Sequence, residues 1–363
     1  MSAARSQSKR NKILAWTINL AGVAAFALIL FLGGVQVWQQ IFRADPLYLL
    51  AALTATLAWN LVATARWYLI CDAVTEGQPG APFSHYYAYH MIGMLTGQIL
   101  PIGVGMVGGR AVALSLSGYV SPRRAALSVV LDKFFDVILA ILLAVPAALY
   151  LVDWIGLPQA AQLIVVVVVL GLVLVGWQYE GTMRWLARVA ARLARPLTRL
   201  PVVGKRLISR LPQQLERLSS ETFVTNRRAM LLFLLTLALY SLLALRLVLI
   251  ARAVQLSVPW TLLALGVSIT QLTLIFSFTP GSLGVLEGGW WAVFHLGDQT
   301  FSVYNLFVIA RRALVLVFTL ICSLLGFVWI RQSPARLFRA VLTASQSAPE
   351  PEAGPEGVGG SAS

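Results

Sequence analysis

Long apolar runs separated by short clusters of arginine and lysine set the pattern of this chain. Runs near 13–34, 47–71, 124–151, 160–178, 228–252 and 303–330 are each long enough to cross the roughly 30 Å hydrocarbon layer of a bilayer as a helix. They predict six spanning helices. Two further stretches, 86–117 and 259–296, are apolar but broken in the middle by proline and glycine. The arms of the first hold about fifteen and thirteen residues, which at 1.5 Å per residue reach only about 20 Å. Neither arm crosses alone, so each stretch reads as a re-entrant hairpin that enters and leaves on one side.

Composition sharpens the class: 58% of residues are hydrophobic and 12% charged, against about 45–50% and about 25% in soluble domains. The 28 Lys and Arg outnumber 14 Asp and Glu, but they sit in short flanks and one central segment. That fits the positive-inside rule and excludes nucleic acid as the partner. The basic N-terminus at 1–12 leads into a run longer than a signal-peptide core, which predicts an uncleaved anchor. Arg5, Lys9, Arg10 and Lys12, then Arg123 and Arg124, the 181–227 segment, and Arg331, Arg336 and Arg339 all fall in the cytoplasm on one condition. The first hairpin must enter from the cytoplasm and the second from outside, which leaves both termini cytoplasmic. Arg184, Arg188, Arg192, Arg195 and Arg199 share one face of an amphipathic helix expected to lie on the anionic leaflet. The tail at 334–363 is Pro, Gly, Glu and Ser rich and is expected to be disordered. Cys71 and Cys322 lie at or within apolar runs and give no disulfide framework.

An internal repeat runs through the membrane domain, 13–330. An offset of 179 carries Pro101 to Pro280, Gly105 to Gly284, Gly109 to Gly288, Gly118 to Gly297 and Lys133 to Arg312; one step away, Arg66 matches Arg246. Each half, about 47–151 and about 228–330, is then a span, a broken hairpin and a span, and the halves run in opposite directions. The fold expected is an all-α polytopic membrane protein of six spanning helices and two re-entrant hairpins arranged as an inverted repeat. Inverted repeats of broken helices are a transporter architecture, with the binding site at the midplane. Irregular backbone at that depth is tolerated only where protein or a wet cavity covers it.

Ionisable side chains at membrane depth are the candidate site, because each costs several kcal/mol, roughly, unless paired or solvated. Arg110 and Glu287 lie at the ends of the two breaks and are expected to approach each other or a shared polar cavity. Arg110 could meet a lipid phosphate through bidentate donors or sit in a structural ion pair. Asp132 and Asp136 are one turn apart, with Ser128 on the same face and Lys133 beside them. By the offset Asp132 corresponds to Arg311 and Lys133 to Arg312, an exchange that suits a charge pair between halves or a proton-coupled gate. Arg66 and Arg246 either snorkel or line the cavity. His90, Gln98 and Gln271 are further intramembrane polar groups, with His90 read first as a hydrogen-bonded packing residue. Tyr86, Tyr87, Tyr89, Trp290 and Trp291 read as interfacial belt residues. No metal-ligand spacing, phosphate-binding loop or nucleophile elbow stands out, so no metal or cofactor is expected.

The stretches "ILPIGVGMVGGRAVALSLSGYVSPRRAALSVVLDKFFD" and "TPGSLGVLEGGWWAVFHLG" resemble the flippase-like family that includes the transmembrane region of lysylphosphatidylglycerol synthases. The resemblance spans about 13–330. It implies a lipid-handling transporter in the cytoplasmic (inner) membrane of a prokaryote, moving an anionic or polyprenyl-linked lipid between leaflets. Membrane lipids would be its partners. Where the family pattern carries an Asp six residues after the first proline and an Arg six after the second, this chain has Val107 and Leu286. Losing acid and base together at equivalent positions implies that they would otherwise pair. No soluble acyltransferase domain follows the spans, so the chain is not expected to be an enzyme. The alternatives are a scaffold presenting lipid to a separate synthase or glycosyltransferase, and an intramembrane enzyme using Asp132, Asp136 or Glu287.

Overall fold

The structure is a computed structural model describing residues 27, 31, 34–75, 80–101, 103–175, 226–275, 279–331, 333 and 339–341. The basic N-terminus, most of the 13–34 run, the 181–227 segment up to residue 225 and most of the tail lie outside the described residues. What is described is helical, as hydrocarbon demands of any backbone that cannot hydrogen-bond to water. In chain order the helices are α1 (Pro46–Val74), α2 (Phe83–Ile99), a π-wound turn (Gly103–Gly108) continuing into α3 (Gly109–Leu116), α4 (Pro122–Leu151), α5 (Leu157–Val175), α6 (Asn226–Ala253), α7 (Trp260–Ile275), α8 (Val285–Leu296) and α9 (Phe301–Ile330).

Five of these, α1, α4, α5, α6 and α9, are long and apolar enough to cross a membrane. Their starts follow local chemistry. Asp45 accepts hydrogen bonds from the backbone of Leu47 (2.8 Å) and Tyr48 (3.3 Å), and Pro46 supplies the preset φ of a first helical residue. Outward faces carry bare aliphatics such as Val165, Leu170 and Leu325, the surface that lipid tails cover.

In the two broken stretches stand the helix pairs α2–α3 and α7–α8. Their breaks meet: Pro101 and Pro280 form an isolated antiparallel bridge, and the Gly281 amide donates to Gly97 O at 3.0 Å. At Gly105 a Cβ would strike Thr96 O, so only glycine lets the π-wound turn fold back on α2. Thr96 Oγ1 lies 2.6 Å from Gly105 O and fastens that turn. Gly281 adopts φ +56°, the left-handed region where glycine carries no penalty.

Between the halves, α1 packs most extensively on α6, and contacts Arg66 to Thr236 and Trp59 to Arg246 run in opposite chain directions. The last span of each half packs along the first arm of the other half's hairpin, α9 on α2 and α4 on α7. At the α9–α2 contact Ser323 donates to Met91 O at 2.7 Å. One buried cluster gathers Trp290, Phe294 and Phe307 beneath α7 and α9; another gathers Trp67, Tyr86, Tyr89 and Leu114 around α2 and α3. Tyr86, Tyr89 and Trp290 are therefore core residues rather than members of an interfacial belt. Trp291, about 100° further round the helix, is the exposed one.

Candidate functional site

In the first half the charges assemble on Asp132. Arg66 Nε reaches its Oδ1 at 2.8 Å and Arg110 Nη2 its Oδ2 at 2.7 Å, with all three side chains buried. Arg66 Nη1 also meets Asp136 at 2.6 Å and donates to Thr236 Oγ1 at 2.9 Å. Lys133 closes the group at 2.8 Å from Asp136. Arg110 gets there by crossing α2 at Gly93, where a Cβ would overlap its side chain, and its guanidinium lies 4.4 Å over the Trp67 ring.

The second half inverts the signs. Glu287 sits in the first turn of α8, where the helix dipole favours an acid, and its Oε2 accepts from the Gly284 amide at 2.8 Å. Its Oε1 faces Arg312 at 2.9 Å and Arg311 at 3.7 Å. Arg312 also donates to Gly281 O at 2.8 Å, tying α9 to the hairpin break. Arg246 lies 5.5 Å over the Trp59 ring and has no carboxylate within ion-pair distance among the described residues. Its Nε and the Nε and Nη2 of Arg311 make no hydrogen bond among the described residues.

These groups surround one cavity of about 150 Å³ between α1, α6, the hairpins, α4 and α9. Arg66, Arg110, Lys133, Arg246, Arg311 and Arg312 line it, with Asp132 and Asp136; Glu287 lies directly behind Arg311 and Arg312. Six cations thus face three carboxylates. The wall is completed by His90, Gln98 and Gln271, and by the apolar Leu243, Leu286 and Trp290.

Of the two outcomes expected for Arg110 and Glu287, they do not pair with each other but do reach a shared polar cavity: Arg110 lines it, held by Asp132 of α4, and Glu287 lies behind Arg311 and Arg312 of α9, which line it. Nor does Asp132 pair with Arg311: Asp132 is already held by two arginines of its own half, and Arg311 faces Glu287. The acids and bases are paired locally instead, hairpin Arg110 to span Asp132 and hairpin Glu287 to span Arg311 and Arg312. Arg66 and Arg246 line the cavity rather than snorkel. Leu286 also lines it, whereas Val107 packs into the cluster around Trp67.

The glycines divide. Gly105 and Gly109 are pressed against Thr96, Gly284 takes φ +80°, and Gly288 has open space where a Cβ would go. His90 is hydrogen-bonded, with Nε2 3.2 Å from Asn60 Oδ1. Sequence reasoning missed Trp59, Asn60, Gly93, Thr236 and Tyr240, whose hydroxyl donates to Asp136 O at 2.9 Å. One signal was available in α1: Thr56, Asn60 and Thr64 recur every fourth residue, a polar stripe along an otherwise apolar span. Among the described residues no group of three metal-ligating side chains occurs.

A bundle of membrane-length helices, with two broken hairpins meeting over a buried cationic cavity, defines a multi-pass membrane protein with an internal polar site. The chain belongs to the family described as the lysylphosphatidylglycerol synthase TM region, matched over residues 17–342. Membership makes it a membrane protein of lipid-related function. No curated protein and no solved structure matches it.

Proposed function

We propose that this chain is a lipid transporter that carries the head group of an anionic or polyprenyl-linked lipid through the cavity while the tails stay in the bilayer. The observation that carries the reading is the charge of the cavity: six cations against three carboxylates at the meeting point of the hairpins. Buried uncompensated cations cost several kcal/mol, roughly, each, and an anionic head group offsets that cost. The volume of about 150 Å³ is below the roughly 300–1,000 Å³ of sites that enclose drug-sized ligands. It suits a head group and leaves the acyl chains outside.

The architecture proposed is the inverted repeat, with the 13–34 run as a sixth span, both termini cytoplasmic and the hairpins entering from opposite faces. The antiparallel bridge between the equivalent Pro101 and Pro280, the antiparallel α1 and α6, and the exchanged packing of α4 and α9 all support a pseudo-twofold axis through the cavity. Alternating access then needs only rocking of one half against the other. Transport of this kind breaks no covalent bond.

The test is leaflet exchange of a fluorescent anionic lipid in vesicles containing the purified protein. Exchange well above protein-free vesicles, slowed by R311Q, is expected. Exchange at the protein-free rate for every lipid, with tight co-purification of a synthase or glycosyltransferase, would instead make the chain a scaffold.

A further inference from the structure

The excess charge is not spread evenly. In the first half Arg66, Arg110 and Lys133 face Asp132 and Asp136; in the second, Glu287 meets Arg311 and Arg312, and Arg246 lines the same cavity with no carboxylate within ion-pair distance among the described residues. Around the cavity, among the described residues, the second half thus sets three cations against one acid, two more than it neutralises. Glu287 is engaged at its Oε2 by the Gly284 amide and at its Oε1 most closely by Arg312. Arg311 stands off at 3.7 Å, and Arg246 lies over the Trp59 ring with no carboxylate within ion-pair distance among the described residues. Arg246 Nε and Arg311 Nε are buried and make no hydrogen bond among the described residues.

We infer that Arg246 and Arg311 form a subsite for a dianionic phosphate, the phosphomonoester or diphosphate end of a lipid, rather than for the single charge of a phosphodiester. A phosphomonoester carries about −1.5 to −2 at pH 7 and three strong acceptor oxygens. It matches the two surplus cations and the forked donors of two guanidiniums. A phosphodiester, with one charge, leaves one buried arginine uncompensated. The Trp59 ring lies 5.5 Å under the Arg246 guanidinium, a cation–π contact that helps hold its donor fork in the cavity before the ligand arrives. The inference rests on the lipid-handling reading for the source of the phosphate and on the arginines alone for its charge.

The test is binding to the full-length purified protein in micelles, with dioctanoyl phosphatidic acid, dioctanoyl phosphatidylglycerol and inorganic phosphate as separate probes. Phosphatidic acid is expected to bind about tenfold tighter than phosphatidylglycerol, the step that about 1.4 kcal/mol provides. R246Q and R311Q should each reduce that preference toward unity, with R246K keeping part of it. Equal affinities of the wild-type protein for the two lipids overturn the inference, whether or not the variants fold. Inorganic phosphate binding as tightly as phosphatidic acid upholds the dianion subsite and removes the lipid as its source, so the two readings fail separately.

Discussion

Asp132 is the residue on which the first half depends, since one carboxylate neutralises parts of two buried guanidiniums. D132N keeps the shape and removes the charge, leaving Arg110 with no carboxylate partner among the described residues. Breaking a buried pair in this way costs about 3–5 kcal/mol, so D132N is expected to lower the melting temperature clearly, read by thermal unfolding in detergent. K133Q removes only a half-exposed partner of Asp136 and should cost about 1 kcal/mol or less. Equal losses from the two would show that Asp132 is not the anchor. The identity of the charged residues was legible in the chain, because Arg, Asp and Glu in apolar runs stand out. Their partners were not: position gives depth and helix face, but Arg110 and Asp132 meet because α2 is thinned at Gly93. The cross-half pairing of Asp132 with Arg311 failed for the same reason.

At the scale of elements, the hairpins were legible from one feature, proline and glycine in the middle of apolar stretches too short to cross twice. The offset between Pro101 and Pro280 further anticipated two equivalent breaks, but not that they would touch. That contact is tertiary and leaves no trace in local pattern. Glycine roles were only half readable, since crowding at Gly105 and open space at Gly108 look identical in sequence. G105A should cost about 1–3 kcal/mol through overpacking against α2, while G108A, on a helical backbone with open space around it, should be neutral or slightly stabilising. Thermal melts of the two variants check the contrast; similar values would mean that the π-wound turn does not press on α2. The belt expectation failed for Tyr86, Tyr89 and Trp290 because aromatic residues serve core and interface alike, and only the partner helices decide.

For the whole molecule, the proposed inverted repeat, with hairpins entering from opposite faces, has a consequence for surface chemistry. Tyr119, just past the first hairpin, and Thr300, just past the second, are both exposed. Single cysteines there, in a protein lacking Cys71 and Cys322, are expected to react with an impermeant thiol reagent from opposite faces, Tyr119→Cys from the cytoplasm and Thr300→Cys from outside. Reaction from one face would remove the inverted repeat. Function makes a stronger demand: a transporter's cavity must open to both sides in turn, whereas a scaffold's need open to only one. Gln271 lines the cavity and is half-buried, so Q271C in the same background reports on it. The measurement that tests the account most directly is labelling of Q271C by impermeant reagent applied to each face separately. The account predicts reaction from either face, slowed by anionic lipid; reaction from a single face under every lipid condition would contradict it.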